Sequence, residues 1–168
     1  MRKLFIVLLA VAPAAFAQQK NEFSIFISNP GYTSFQNQSW WEGGVGMSFD
    51  KMVSPHVSAQ LSIAEERYHF VATNARTYPE TVLPIDFIGR YHFATESRWR
   101  PYLGFGVRYV AAPFGYASRL NPEINGGVVF QVRRSLGIFV DAKQVLGMQS
   151  GPVYDPLTKT ALGLSWRW

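Results

Sequence analysis

The sequence predicts an all-β fold: an eight-stranded antiparallel up-and-down transmembrane β-barrel behind a cleaved signal peptide. Three observations carry this. Eight segments of about ten residues alternate apolar and polar side chains with period two. Their connectors alternate between short and long. The apolar face of the strands is too bulky to fit inside the barrel that they would close.

The first seventeen residues stand apart. Met1, Arg2 and Lys3 form a basic start, Leu4 to Val11 is unbroken apolar sequence, and Pro13 ends the run. Ala15-Phe16-Ala17 is a small-x-small cleavage site before Gln18. The apolar stretch is far shorter than the ~20 residues a spanning helix needs, so it reads as a signal peptide. Residues 18–168 then form one domain, the barrel.

The strands are read at 21–28, 40–50, 55–66 (with an extension to Phe70), 82–93, 101–110, 122–132, 136–145 and 157–168. Connectors 51–54, 94–100 and 133–135 are short. Those at 29–39, 71–81, 111–121 and 146–156 are longer and rich in Gly, Pro, Asn and Ser. Short turns at one end and long loops at the other are the pattern of a membrane barrel, whose termini and short turns lie in the periplasm.

Splitting each strand by parity separates two faces. One carries Phe23, Ile25, Ile27, Val45, Met47, Phe49, Leu61, Ile63, Phe87, Leu103, Phe105, Ile124, Ile138, Val140, Leu162 and Leu164, with no charge in those stretches. The other is small or polar nearly throughout: Ser24, Gly44, Gly46, Ser48, Ser58, Ser62, Asp86, Arg90, Gly104, Gly106, Arg108, Glu123, Asp141, Lys143, Gly163, Ser165 and Arg167. The lumen of eight strands is only wide enough for side chains to fill it. About thirty bulky side chains of the apolar face would overfill it, whereas the small and charged set fits. The apolar face is therefore expected to point outward into lipid; the alternative, a lipocalin-like soluble barrel with an apolar lumen, would leave the polar set in water but overfill its cavity. Hydrocarbon leaves no partner for an unpaired N–H or C=O, so the sheet must close. Trp99, Tyr91, Phe93, Phe130, Trp166 and Trp168 are placed near the periplasmic interface, and Trp41 and Tyr109 near the other.

Composition removes other classes. The chain has no cysteine, so no disulfide framework or thiolate metal site. Its formal charge is +5, and +3 once Arg2 and Lys3 are cleaved away; in the remaining chain basic residues are scattered and Arg133-Arg134 is the only adjacent pair, so no nucleic-acid surface is expected. His56, His69 and His92 lack metal-ligand spacing. Gly104-x-Gly106 lies inside a strand with no following helix and is not a dinucleotide loop. Glu65-Glu66-Arg67 reads as a solvated strand end. No cofactor is expected.

The run Leu83-Pro84, Arg90-Tyr91-His92-Phe93, then Arg100-Pro101-Tyr102-Leu103-Gly104-Phe105-Gly106-Val107-Arg108-Tyr109 resembles the OmpW family of small outer-membrane barrels. So do Val140-Asp141-Ala142-Lys143, Asp155-Pro156-Leu157 and the closing Gly163-Leu164-Ser165-Trp166-Arg167-Trp168. The chain departs from the family pattern at Ile85-Asp86, where a second proline is usual, and at Trp168, where Phe is usual. The resemblance implies a cell outer-membrane location and a narrow porin-like channel for small hydrophobic molecules. It also implies Trp168 as the signal read by the barrel-assembly machinery. The partners expected are outer-membrane lipid, lipopolysaccharide, that machinery and a small hydrophobic ligand.

Lumen-lining candidates are Phe26, Asp86, Ile88, Arg90, Arg108, Glu123, Phe139, Asp141, Lys143 and Arg167. The charged ones could line a polar channel or plug the lumen with salt bridges; Phe26, Ile88 and Phe139 would suit an apolar constriction. A sealed barrel with a structural or surface-interaction role is the alternative. A lipid A-modifying enzyme is a third reading. It would need a His-x-Ser pair near the end of the seventh strand, where Asp141 to Gly147 offers neither residue and Ser150 has no nearby histidine. No catalytic residue is assigned.

Overall fold

The computed structural model describes residues 21–30, 43–71, 77–111, 119–146 and 158–168. Residues 1–17, expected to be a signal peptide, and Trp41 lie outside the described residues. Eight strands follow in chain order: β1 (Asn21–Pro30), β2 (Gly44–Met52), β3 (Val57–Val71), β4 (Thr77–His92), β5 (Trp99–Ala111), β6 (Arg119–Gln131), β7 (Leu136–Val145) and β8 (Thr158–Arg167). Each pairs antiparallel with its sequence neighbours, and β1 closes the ring on β8. Phe23 lies opposite Trp166, and Asn21 N donates to Trp168 O at 3.0 Å, so the seam runs to the last residue.

The strand assignments hold, with corrections at their ends. The 71–81 segment was expected to be a long loop. Instead β3 and β4 continue into it, and Val71 pairs with Thr77. The segment contains Pro79, but β-favouring Tyr68, Phe70, Tyr78 and Thr81 flank the tip. A proline costs only its own ladder bond. Pro84 shows that cost: the β3–β4 ladder lacks pairs at Ala64 and Glu65 and resumes in the same register at Glu66. The short turns are tight, as at 53–56, where Val53 N donates to Val57 O at 2.8 Å.

Alternation of burial is the inverse of a water-soluble protein. Along β4, Ile85, Phe87, Gly89 and Tyr91 are exposed while Asp86, Ile88, Arg90 and His92 are buried. Phe105 is 62% exposed and Arg108 1%. Leaving a ring of Leu, Ile, Phe and Val in water would cost about 25 cal/mol per Å² of apolar surface. Hydrocarbon removes that cost, and the closed ladder leaves no strand edge to lipid. The aromatic residues placed at the periplasmic end cluster there: Trp99 against Phe130 at 4.6 Å, Tyr91 against Phe93 at 5.2 Å and Phe23 against Trp166 at 6.5 Å between ring centroids.

Candidate functional site

The lumen is the candidate site, and its walls are set by parity. Inward positions alternate between glycine or serine and long charged residues, so each long side chain crosses toward a strand that offers space. Gly46 and Gly163 flank Phe26 in the sheet; a β-carbon at either would run into the Phe26 or Phe139 ring. Gly127 similarly makes room for the Tyr102 hydroxyl.

Toward the extracellular half, the carboxylates Glu66 and Asp86 share a set of cations. Arg108 donates to Glu66 at 2.8 Å and to Asp86 at 3.3 Å. Lys143 pairs with Asp86 at 2.5 Å and Lys159 with Glu66. Ser62 Oγ adds a bond to Asp86 at 3.0 Å. Glu123 is wholly buried in the same lumen, with neither carboxylate oxygen hydrogen-bonded.

Toward the periplasm, Arg90 bridges Asp50 and Asp141, each at 3.3 Å, and its guanidinium lies 4.3 Å from the centre of the Tyr102 ring. Gln60 and Asn125 supply further bonds to Asp50 and Asp141. Beside this pair of bridges, Phe26 and Phe139 meet edge to face at 6.3 Å, packed with Tyr102, Val129 and Ala161. A last pair, Arg100 to Glu22 at 2.7 Å, lies nearest the termini. Charges so buried are tolerable only when paired and hydrogen-bonded, and most of these are.

Of the sequence candidates, Asp86, Ile88, Arg90, Arg108, Glu123, Phe139, Asp141 and Lys143 are buried inward, and Phe26 is half-buried in the apolar cluster. Two differ from expectation. Ile88 is fully buried but lies opposite Gly106 on β5, apart from the Phe26–Phe139 cluster. Arg167, the last strand residue, sits half-exposed at the periplasmic mouth instead of in the lumen. There it lines a recess of about 370 Å³ with Met52, Pro55 and Glu96. It falls at the mouth because the strand ends there.

Asp50 and Arg100 were missed. Both fall at strand ends where alternation fades into a turn, yet both share the parity of inward neighbours, Ser48 and Tyr102. Glu22, Tyr102 and Lys159 share the inward parity without having been singled out. Glu66 corrects an expectation: read as part of a solvated strand end, it is buried and paired with Arg108 and Lys159, because β3 runs on past it and its parity turns it into the lumen.

One buried contact has the residue types of nucleophilic chemistry. Ser58 Oγ lies 2.9 Å from His92 Nε2 and 3.1 Å from Asp50 Oδ1. A carboxylate can only accept, so the single hydroxyl proton goes to Asp50 and the imidazole N–H donates to Ser58. A serine nucleophile needs the reverse, a ring nitrogen free to take its proton. Among the described residues no cluster of His, Asp and Glu could hold a metal ion.

A second cavity lies on the outside. A groove of about 900 Å³ crosses the outer wall from β7 over β8, β1 and β2 to β3, toward the extracellular end. Ile27, Val45, Val140 and Leu162 form its apolar floor; Asn29, Thr160, Glu65 and Arg67 edge it.

The OmpW family profile matches residues 10–145. This chain belongs to the OmpW family. No curated protein matches it. Among solved structures, it resembles the outer membrane protein OprG from Pseudomonas aeruginosa at TM-score 0.62 and 12% identity, covering 89% of this chain and 95% of that one. It resembles the N-terminal barrel domain of Pseudomonas aeruginosa OprF at 0.60 and 16%, covering 90% and 100%. The outer membrane protein Ail of Yersinia pestis is similar at 0.60 and 12%, again covering 90% and 100%. At these identities the likeness is one of fold. With the family, it places this barrel in the cell outer membrane, with its termini and short turns on the periplasmic side.

Proposed function

We propose that this OmpW-family barrel passes small hydrophobic molecules across the outer membrane by way of its wall, not along its axis. The observation that carries this is the apolar groove on the extracellular half. Its floor residues face the bilayer, so a molecule seated there has already reached lipid. The axis offers the opposite chemistry. An apolar molecule moving along it would have to part Arg108 from Glu66 and Asp86, or Arg90 from Asp50 and Asp141. Breaking one buried pair costs on the order of 3–5 kcal/mol, and hydrocarbon returns nothing to the stranded charges.

The test uses proteoliposomes whose outer leaflet is lipopolysaccharide, the layer that slows apolar solutes. Uptake of N-phenylnaphthylamine should be faster with the protein than without it. Val45→Trp, which fills the groove floor, should lower the rate severalfold, while planar-bilayer conductance stays near background. Uptake equal to that of empty vesicles would leave the sealed structural or surface-interaction barrel as the reading.

Trp168 is proposed as the residue that the barrel-assembly machinery reads. Its side chain is 45% exposed beside the closing seam, so truncation leaves no lumen cavity. Trp168→Ala should cut outer-membrane yield severalfold in cells but leave refolding into detergent nearly unchanged. Equal loss in both settings would assign Trp168 to stability instead.

A further inference from the structure

The periplasmic rim below β5, β6 and β7 carries three arginines that the lumen does not use. Arg98 ends the 94–98 turn; Arg133 and Arg134 lie in the 132–135 turn. Pairing of β5 with β6 brings the two turns side by side: Trp99 faces Phe130, and Gln131 N donates to Arg98 O at 2.7 Å. The second turn is firmly held. Arg133 N donates to Leu136 O at 3.0 Å, and Gln131 Nε2 donates to the carbonyl oxygens of Arg133 and Arg134 at 2.8 and 3.2 Å. All three arginines are exposed. None has a carboxylate within ion-pair reach among the described residues. The one acid in these turns, Glu96, lines the recess shared with Met52 and Arg167.

Immediately toward the bilayer stands the Trp99–Phe130 pair, with Trp99 58% exposed. Aromatic rings of this kind settle at headgroup depth, which sets the two adjoining turns within an arginine side chain's reach of the lipid phosphates. Guanidinium groups bind phosphate oxygens through paired, charge-assisted bonds. Three positive charges on two adjoining turns, without a counter-ion among the described residues, make a locally positive rim that an anion would relieve. A zwitterionic headgroup would bring an ammonium group into the same field.

We infer that this rim is a binding site for an anionic phospholipid of the periplasmic leaflet, its phosphate on Arg98, Arg133 and Arg134 and its acyl chains against Trp99 and Phe130. This stands apart from the transport proposal and survives its failure. Native mass spectrometry of the refolded barrel in non-ionic detergent, with equimolar phosphatidylglycerol and phosphatidylcholine, tests it. The wild type should retain phosphatidylglycerol preferentially. R98Q/R133Q/R134Q, shown to be folded by its heat-dependent gel mobility, should bind phosphatidylglycerol on the order of a hundredfold more weakly, at ~1 kcal/mol per basic residue near an anionic surface. The three-lysine variant should keep much of the preference. Excess soluble glycerol phosphate should not displace the lipid. Undiminished phosphatidylglycerol retention in the glutamine variant, or equal retention of both lipids by the wild type, would overturn the site. Displacement by glycerol phosphate would overturn its assignment to a lipid.

Discussion

Arg108→Met is expected to destabilise the barrel by about 3 kcal/mol or more. Arg108 is 1% exposed and bonds both Glu66 and Asp86. Methionine fills much of its volume but removes the charge. Lys159 and Lys143 remain, one on each carboxylate, which keeps the loss toward the low end of what a broken buried pair costs. Urea unfolding in lipid vesicles measures the effect. An unchanged midpoint would mean that the lumen charges are solvated by water and do not depend on one another.

Phe105→Arg should cost about 2–4 kcal/mol, the range for a charge on the lipid face near the bilayer midplane. Phe105 lies near the middle of β5, opposite Gly89 and Ile124, and its ring points away from the lumen. An exposed residue of a water-soluble barrel would tolerate the same change within about 0.5 kcal/mol. The comparison therefore separates the two solvents by several-fold in free energy. Refolding yield into vesicles and the urea midpoint both report it, and a wild-type midpoint would argue for water outside the barrel.

The strands and their two faces were legible because period-two alternation is local and eight strands leave little room inside. Volume alone decided which face is outward. The partners inside the lumen were not legible. Arg90 on β4 reaches Asp141 on β7, Arg108 on β5 reaches Glu66 on β3, and Arg100 on β5 reaches Glu22 on β1. Such pairs depend on strand stagger and on the crossing of a narrow bore, neither of which alternation encodes. The Ser58–His92 contact is different: it is a diagonal within the β3–β4 hairpin, where Ser58 pairs with Arg90, and depends only on that register. Asp50 and Arg100 sit where a strand meets a turn and Arg167 ends β8, and there parity alone does not say how far the wall extends. The groove needs the shapes of five neighbouring strands at one height, which no single segment carries. The tip of the β3–β4 hairpin was obscured by Pro79, whose lack of an N–H says less about strands than its reputation suggests.

The account rests on the solvent of the outer face, where Phe87, Leu103 and Phe105 each expose more than half of their surface. The most direct measurement is sedimentation of refolded residues 18–168 before and after detergent is exchanged for plain buffer. A bilayer-facing surface predicts a folded monodisperse species with detergent and rapid association without it, reversed by adding lipid. A chain that remains folded and monodisperse in buffer alone would contradict the membrane-spanning barrel.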